Sequence, residues 1–306
     1  MKKLFLKLIC VTLLVSICGC SFKSTSSSTN GTEITDALGN TAYITKDSRI
    51  AVCYGSFAHC LTLSGLSPVA VTSDAETEHK LSFDEGTAVI GSVKQINLET
   101  LFAKKPDYVI LSADLSAHLK LESSLKNAGI KYGYFRVDTF EDYKKFMKPL
   151  CDASGRDDLF EKNVTQPEEN IKNILSKIPE KSNKNVLLLR AFGSGVKAKR
   201  QDNLAGQILS ELGAQNIADR YPSLIEDLSA EQIVSHNPDY IFVLTMGSEE
   251  AAKAFLKNNF EQNKAFENLN AVKNGHYILL PKELFHYKPN NRWDEAYEYL
   301  AKILYP

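Results

Sequence analysis

Short apolar runs alternate with amphipathic segments over most of this chain. The runs RIAVCYG, PVAVTSD, DYVILSA and IKYGYFRV have the length and composition of buried strands. The alternation resumes at NVLLLRAF and continues through DYIFVLT and HYILLP to an amphipathic final helix at 293–305. Helices between the runs are predicted at about 56–65, 98–104, 116–127, 204–212 and 231–235. This order predicts an α/β fold with largely parallel sheets.

A longer segment of different character divides the two sets of runs. Residues 157–178 are charged and follow a helical pattern, and Pro167 inside them is expected to kink or divide the helix. Residues 33–44 contain a Leu-Gly-Asn turn between two short extended runs, which predicts a hairpin. The predicted organisation is an N-terminal lobe at 34–155, a connecting helix at 156–181 and a C-terminal lobe at 182–306.

One unit occurs in both predicted lobes. Glu99 opens a short helix that is followed by Pro106-Asp-Tyr and an apolar strand, and Glu231 opens the same sequence before Pro238-Asp-Tyr. The interval from glutamate to proline is seven residues in each case. Two such units on either side of a long helix indicate two lobes of similar architecture.

The N-terminus has the layout of an export signal. Three lysines precede a short apolar run, and the run is followed by the tetrad Ile17-Cys18-Gly19-Cys20, which resembles a lipobox, so residues 1–20 are predicted to be a lipoprotein signal peptide. An ordinary signal peptide and an N-terminal membrane anchor are the alternatives. Residues 21–33 are rich in serine and threonine and are expected to form a flexible tether.

Charge and cysteine content narrow the class of protein. The formal net charge of −1 becomes −4 once residues 1–20 and their three lysines are removed, and no basic tract is present, so nucleic acid is not an expected partner. Cys53, Cys60 and Cys151 do not make a disulfide framework. A bridge between Cys53 and Cys60 is one alternative, and free buried thiols are the preferred one.

The ordered set of motifs resembles the substrate-binding lipoproteins of ABC importers for ferric siderophores, haem and cobalamin. The matching pieces are the tetrad ending at Cys20, the hairpin ITDALGNTAYI, GSVKQINLETLFAKKPDYVIL, DNLAGQILSELGAQNIAD and LSAEQIVSHNPDYIFV. The resemblance implies two Rossmann-like lobes with central, mostly parallel sheets, a single long helix joining them and a ligand cleft between them. Cys20 would carry the lipid.

The resemblance also implies partners. Glu99 and Glu231 stand where such proteins dock onto arginines of a permease dimer, which works with its ATPase. The alternative is two solvated carboxylates that are stabilised near helix N-termini. A monomer with no intrinsic cofactor is expected, anchored on the outer side of the cell membrane, whether that side faces a periplasm or the exterior.

Candidate ligand-binding residues follow the predicted strands. Aromatic, basic and sulfur-containing side chains can hold a flat or anionic metal complex by stacking and charge-assisted hydrogen bonds. The candidates are Tyr54, Phe57, His59, Lys199, Arg200, Met246, His286, Tyr287, Arg292 and Trp293. Lys199 and Arg200 belong to residues 193–203, which are predicted to be a glycine-rich, cationic loop after a strand. The alternatives to ligand binding are a helix-start histidine for His59, a solvated basic loop for Lys199 and Arg200, and core positions for Met246 and Trp293.

The expected function is capture of an iron complex of the ferric siderophore type for an ABC importer. Haem or a corrinoid is the alternative cargo, and a surface adhesin or sensor is the alternative role. Six histidines scattered along the chain argue against a zinc or manganese importer. No nucleophile–base pair, CxxC or phosphate-binding loop is recognisable, so an enzyme is not expected. No metal ligand set is predicted.

Overall fold

The computed structural model describes residues 31–179, 184–226 and 228–306. Gly31–Pro306 forms one compact unit. The predicted signal peptide, Cys20 and tether residues 21–30 lie outside the described residues. The tether ends earlier than predicted, because a strand begins at Thr32.

The N-terminal half is a hairpin followed by a parallel sheet. Its elements are β1 (Thr32–Thr35), β2 (Thr41–Ile44), β3 (Ile50–Val52), α1 (Gly55–Leu63), β4 (Pro68–Val71), α2 (Asp74–Thr77), β5 (Ala88–Val89), β6 (Gly91–Ser92), β7 (Gln95–Ile96), α3 (Leu98–Ala103), β8 (Tyr108–Ser112), α4 (Ser116–Leu119), α5 (Glu122–Asn127), β9 (Lys131–Phe135) and α6 (Phe140–Ser154). The sheet order is β5-β4-β3-β8-β9, and every neighbouring pair is parallel. The predicted helix at 116–127 is two short helices.

The connecting helix runs through its proline. It consists of α7 (Asp157–Phe160), a π-helical segment (Glu161–Thr165) and α8 (Gln166–Leu175), and the residues at the junctions keep right-handed helical dihedrals. Pro167 has no N–H to bond the carbonyl of Asn163 one turn earlier. That carbonyl instead accepts the hydroxyl of Tyr143 at 3.0 Å. The helix is therefore not divided at Pro167, which was one of the two predicted effects, since a π turn and a side chain from α6 accommodate the proline.

The C-terminal half contains a second sheet. Its elements are β10 (Asn185–Phe192), β11 (Gly195–Lys199), α9 (Leu204–Glu211), β12 (Gln215–Asn216), α10 (Ile217–Arg220), α11 (Ser223–Glu226), α12 (Ala230–His236), β13 (Tyr240–Thr245), α13 (Glu249–Leu256), a π-helical segment (Lys257–Glu261), α14 (Lys264–Glu267), α15 (Asn270–Lys273), β14 (Tyr277–Leu279), α16 (Lys282–Phe285), a 3-10 turn (Asn290–Arg292) and α17 (Trp293–Leu304). The order is β11-β10-β13-β14, with β12 also paired to β10.

The segment at 193–203 is not the loop that its glycines and charges predict. Residues 195–199 form β11, which pairs antiparallel with β10. Val196 and Ala198 alternate with exposed or half-exposed lysines, which is the period of a strand with one covered face. The remaining pairs of this sheet are parallel, so the predicted fold class of two mostly parallel sheets is confirmed.

The repeated Pro-Asp-Tyr units tie each sheet together in the same way. The carboxylate of Asp107 accepts the backbone N–H of Arg49 at 2.8 Å, just before β3. The carboxylate of Asp239 accepts the backbone N–H of Asn185 at 3.0 Å, at the start of β10. Each aspartate therefore fixes the register of two adjacent parallel strands, which explains why the unit occurs twice.

The two sheets share a central core. One hydrophobic cluster contains Phe57 from the first half, Val164 from the connecting helix, and Leu188 and Trp293 from the second half. Separate clusters lie on the outer faces of the two sheets. Because a close-packed core resists deformation, the two halves are held in one arrangement.

Candidate functional site

A cleft of about 330 Å³ lies between the two halves. It is lined by Tyr54, Phe57, Ser112, Asp114, Leu115, Val137, Asp138, Arg190, Lys199, Asp202, Asn203, Leu204, Leu244, Met246, Phe285, His286 and Lys288. Most of these residues end or follow strands β3, β8, β9, β10 and β13, and the others come from the end of β11, the start of α9 and the end of α16 with the segment after it. The cleft is therefore at the carboxyl ends of the parallel strands of both sheets. Ligands of open α/β sheets bind in that position.

An aromatic wall closes one side of the cleft. The rings of Tyr54 and Phe57 meet edge to face with centroids 5.2 Å apart, and Phe57 packs in turn on Phe135 and Phe146. Burial raises the pKa of Tyr54, with a further contribution from nearby Asp74, so the phenol is neutral at physiological pH. The wall is apolar and rigid, and it carries one hydroxyl that can donate a hydrogen bond.

Arg190 is the cleft residue that the sequence analysis missed. It lies near the carboxyl end of β10, opposite Leu244 of β13, and its Nε is buried without a hydrogen-bond partner. Among the described residues it has no ion-pair partner. Burial lowers its pKa, although Asp202 and Asp138 oppose the shift. A half-buried guanidinium whose buried Nε has no hydrogen-bond partner is suited to bind an anion at a cleft.

The other charges of the cleft are paired. The Nζ of Lys288 is 2.7 Å from a carboxylate oxygen of Asp138 and also donates to the carbonyl of Val137. Asp114 accepts the Nε of Arg136 at 2.6 Å. Lys199 lies 3.7 Å from Asp202. Among the described residues, Arg190 is therefore the one cationic residue of the lining that has no carboxylate within ion-pair distance.

Two potential ligands of a metal face the same space. His286 is half-buried, and desolvation together with Lys282, Arg190 and Lys288 lowers its pKa to about 4. Its imidazole is therefore neutral at physiological pH and has a free lone pair to offer. Met246 follows β13 and lines the cleft with it.

A strap at residues 286–292 passes from the second half into the first. Asn290 is fully buried, and its side chain accepts the hydroxyl of Ser56 at 3.2 Å and donates to Ser56 O and His59 Nδ1, both at 3.1 Å. Lys288 contributes the contacts to Asp138 and Val137 described above. The strap therefore fixes one wall of the cleft to the other by buried polar contacts.

The periplasmic binding protein family model matches residues 50–284. The chain belongs to this family. It is 25% identical over 90% of its length to the putative ABC transporter substrate-binding lipoprotein YhfQ of Bacillus subtilis, of which it covers 90%. It is 24% identical over 85% of its length to the Fe(3+)-citrate-binding protein YfmC of the same organism, of which it covers 83%.

Solved structures of this family share the fold. Staphylococcus aureus IsdE complexed with heme superposes with a TM-score of 0.68 at 19% identity, over 85% of this chain and 100% of the other.

The structure separates the ten candidate residues into two groups. Tyr54, Phe57, Lys199, Met246 and His286 line the cleft. His59, Arg200, Tyr287, Arg292 and Trp293 do not. The positions of Ser112 and Asp114 after β8 also place them on the cleft.

The five residues that lie elsewhere have other contacts. His59 accepts a hydrogen bond from the side chain of Asn290. Tyr287 makes tilted ring contacts with His79 and His286 and lines a neighbouring groove. Arg200 is exposed beyond the end of β11. Arg292 makes a bidentate ion pair with Glu295.

Trp293 is a core residue. It is 0% exposed and meets Phe140 edge to face, so the prediction that it contacts a ligand is wrong. It opens the amphipathic helix α17, whose apolar face is buried.

The two glutamates occupy equivalent positions. Glu99 is the second residue of α3, after the capping Asn97, and Glu231 is the second residue of α12, after the capping Ser229. Both glutamates are exposed, and within the described residues neither makes an ion pair. Each sheet thus presents one free carboxylate from the same structural unit.

The remaining predictions concern thiols, metals and membranes. Cys53, Cys60 and Cys151 are free and buried, as preferred. Residues 31–179, 184–226 and 228–306 contain no group of three or more His, Cys, Asp or Glu side chains placed to hold a metal ion. Across the same residues, every helix is too short or too polar to cross a bilayer.

Proposed function

We propose that this protein captures an iron complex of the ferric siderophore type outside the cytoplasmic membrane and delivers it to an ABC importer. The supporting observation is the cleft, which combines an aromatic wall with the guanidinium of Arg190, whose buried Nε has no hydrogen-bond partner. Family membership and the names of the relatives, one of which binds Fe(3+)-citrate, support the same cargo class.

Binding in this cleft would use two kinds of contact. The organic shell of the complex packs against Tyr54 and Phe57, while a carboxylate or other anionic group of the shell meets Arg190. A charge-assisted hydrogen bond is stronger away from water, because competing solvent is excluded. The shared core holds the two sheets in place, so little ordering is required on binding.

Haem is the second candidate cargo. His286 presents a neutral imidazole, and Met246 and Tyr54 line the same cleft, so an axial pair from His with Met or Tyr is available. IsdE, which shares the fold, was solved with heme. A corrinoid is a further alternative that no cleft residue favours over haem.

Equilibrium titration tests the cargo. The purified protein is titrated with ferric citrate, a ferric hydroxamate and haem, and binding is followed by tyrosine emission and by visible absorbance. At least one complex should bind at micromolar concentration or below. If haem binds through His286, His286→Ala should remove the shift of its absorbance, whereas His59→Ala, outside the cleft, should keep it. No binding of any iron complex would refute the proposal.

Delivery is proposed to use Glu99 and Glu231. Their exposure and identical placement on the two sheets suit a permease dimer that engages both halves of the protein at once. The lipid on Cys20 would hold the monomer at the outer face of the cytoplasmic membrane. The effective concentration of the binding protein near the permease and its ATPase would be high there. An adhesin or sensor would need neither glutamate.

Charge reversal tests docking separately from cargo binding. The double variant Glu99→Arg and Glu231→Arg should abolish iron uptake by cells and leave ligand affinity unchanged. Glu169→Arg is the matched control, because Glu169 is an exposed glutamate in the first turn of another helix, α8. Normal uptake by the double variant would contradict the docking role.

A further inference from the structure

We propose that the cleft selects iron complexes that are neutral or singly negative over complexes with several negative charges. The inference rests on the proposed function and adds a property of the ligand that neither the family nor the relatives specify. It follows from how the charges around the cleft are paired.

The lining carries as many anions as cations. Its cationic members are Arg190, Lys199 and Lys288, and its anionic members are Asp114, Asp138 and Asp202. Arg136, just outside the lining, pairs with Asp114. Within the described residues, this arrangement leaves an excess of one positive charge, on Arg190, which makes no ion pair and is only moderated by the nearby carboxylates of Asp202 and Asp138.

The lysines of these ion pairs cannot readily leave their carboxylate partners to bind a ligand. Lys288 and Asp138 have side chains only 18% and 34% exposed, and the Nζ of Lys288 is also engaged by the carbonyl of Val137. Turning Lys288 toward a ligand would leave Asp138 unpaired at a partly buried site, which is costly. Lys199 is held more loosely, but Asp202 would remain beside any anion that it met.

The other polar lining residues do not add positive charge at neutral pH. The low pKa of His286 keeps its imidazole neutral, and the raised pKa of Tyr54 keeps its phenol protonated. The rest of the wall is largely apolar. A complex with several negative charges would lose its hydration here and meet one cation without an ion-pair partner, because each of the other cations is already paired with a carboxylate.

The charge of an iron complex depends on its chelating groups. Three hydroxamates, each singly negative, neutralise Fe(III). Three catecholates, each doubly negative, leave a triply negative complex, and ferric haem with its two propionates is singly negative. The cleft therefore favours hydroxamate-type complexes or haem over tris-catecholates.

Direct comparison of affinities tests the inference. The purified protein is titrated at physiological ionic strength with a ferric tris-hydroxamate, with haem and with a ferric tris-catecholate. We expect the better of the first two to bind at least tenfold more tightly than the tris-catecholate. A tris-catecholate that binds as tightly as the better of the two would overturn the inference and leave the proposed function intact, whereas failure of all three would refute the proposed function itself.

Variants of the protein separate the effect of ligand charge from that of ligand shape, because their affinities are compared for a single ligand, the tris-catecholate. Asp138→Asn removes a lining carboxylate and frees Lys288, and it should raise affinity for the tris-catecholate at least tenfold. Asp202→Asn, at a more exposed position, should act in the same direction and remains available if Asp138→Asn does not fold. Asp158→Asn is the matched control, since it releases the exposed Arg156 far from the lining residues. Unchanged tris-catecholate affinity in the folded Asp138 and Asp202 variants would overturn the inference.

Discussion

Replacing Arg190 with methionine is expected to weaken ligand binding and to stabilise the ligand-free protein. Methionine keeps an unbranched, flexible chain that can fill the same space, but it lacks the guanidinium. In the ligand-free protein the Nε of Arg190 is buried without a partner. The same group that binds an anion is therefore a source of instability while the cleft is empty.

The two effects have different expected sizes. A hydrogen bond to a charged group contributes about 1.5–3 kcal/mol, so loss of the anion contact should weaken binding roughly ten- to hundredfold. An unsatisfied buried donor costs about 1–3 kcal/mol. Because the rest of the Arg190 side chain is only half-buried, the lower end applies, and a gain of about 1 kcal/mol corresponds to a rise in melting temperature of roughly 2–4 °C.

Calorimetry measures both effects on one sample. Unfolding scans without ligand give the stability change, and isothermal titration with the iron complex gives the affinity. Arg190→Lys is the control, because it retains the charge and should retain part of the affinity without the full gain in stability. A methionine variant that is less stable than the parent, yet binds as tightly, would show that Arg190 serves the fold and not the ligand.

Three further outcomes are expected. Asn290→Ala should lower the free energy of unfolding in urea by roughly 2–4 kcal/mol, because the buried hydrogen bonds to Ser56 are lost and alanine is placed at a φ of +50°. Asn290→Gly should recover part of that loss, since glycine tolerates this φ. Burial lowers the pKa of His118 to about 4, below its unfolded value of 6.5, so stability should fall by up to roughly 3 kcal/mol between pH 6.5 and 4. His118→Gln should remove the share of that dependence that His118 contributes and leave the share of His286, whose pKa is also lowered to about 4, and an unchanged pH profile would contradict the assignment. Trp293 should emit at short wavelength and resist acrylamide quenching with or without ligand, and ready quenching would show that it is not buried.

The architecture was predictable because each signal in the sequence is local. Apolar runs of strand length, a charged helical segment and the repeated Pro-Asp-Tyr unit each depend on a few adjacent residues. The antiparallel β11 was missed because glycine and lysine composition was given more weight than the alternation of Val196 and Ala198 with lysines. The continuity through Pro167 depended on Tyr143, which is 24 residues away in sequence and not recognisable as a partner.

Which residues line the cleft was harder to predict, because this depends on backbone geometry that the sequence does not specify. Within the strap, Lys288 and Asn290 have positive φ values of 70° and 50°, which lysine in particular gives no reason to expect. The chain direction changes at each of them. As a result His286 and Lys288 line the cleft, whereas Tyr287, between them, faces His79.

The sequence does contain a signal that Arg190 faces the cleft. Strand alternation places it on the same face as Val186 and Leu188, both of which belong to the shared central core. Arginine is almost never buried unless it is paired. A single arginine on the buried face of an apolar strand, near the carboxyl end where ligands bind, is therefore a candidate ligand contact on sequence grounds alone.

The strap links the charge of the cleft to its shape. Asn290 holds the strap against the first half of the protein by bonds to Ser56 and His59, and two residues earlier Lys288 neutralises Asp138. Loosening the strap would move a cation away from the wall and expose a carboxylate to the ligand. A substitution at Asn290 should consequently change which iron complex is preferred as well as how stable the protein is, and the shift should be further away from negatively charged complexes. Measuring ligand preference in the folded fraction of Asn290→Gly would show whether one buried amide sets both properties.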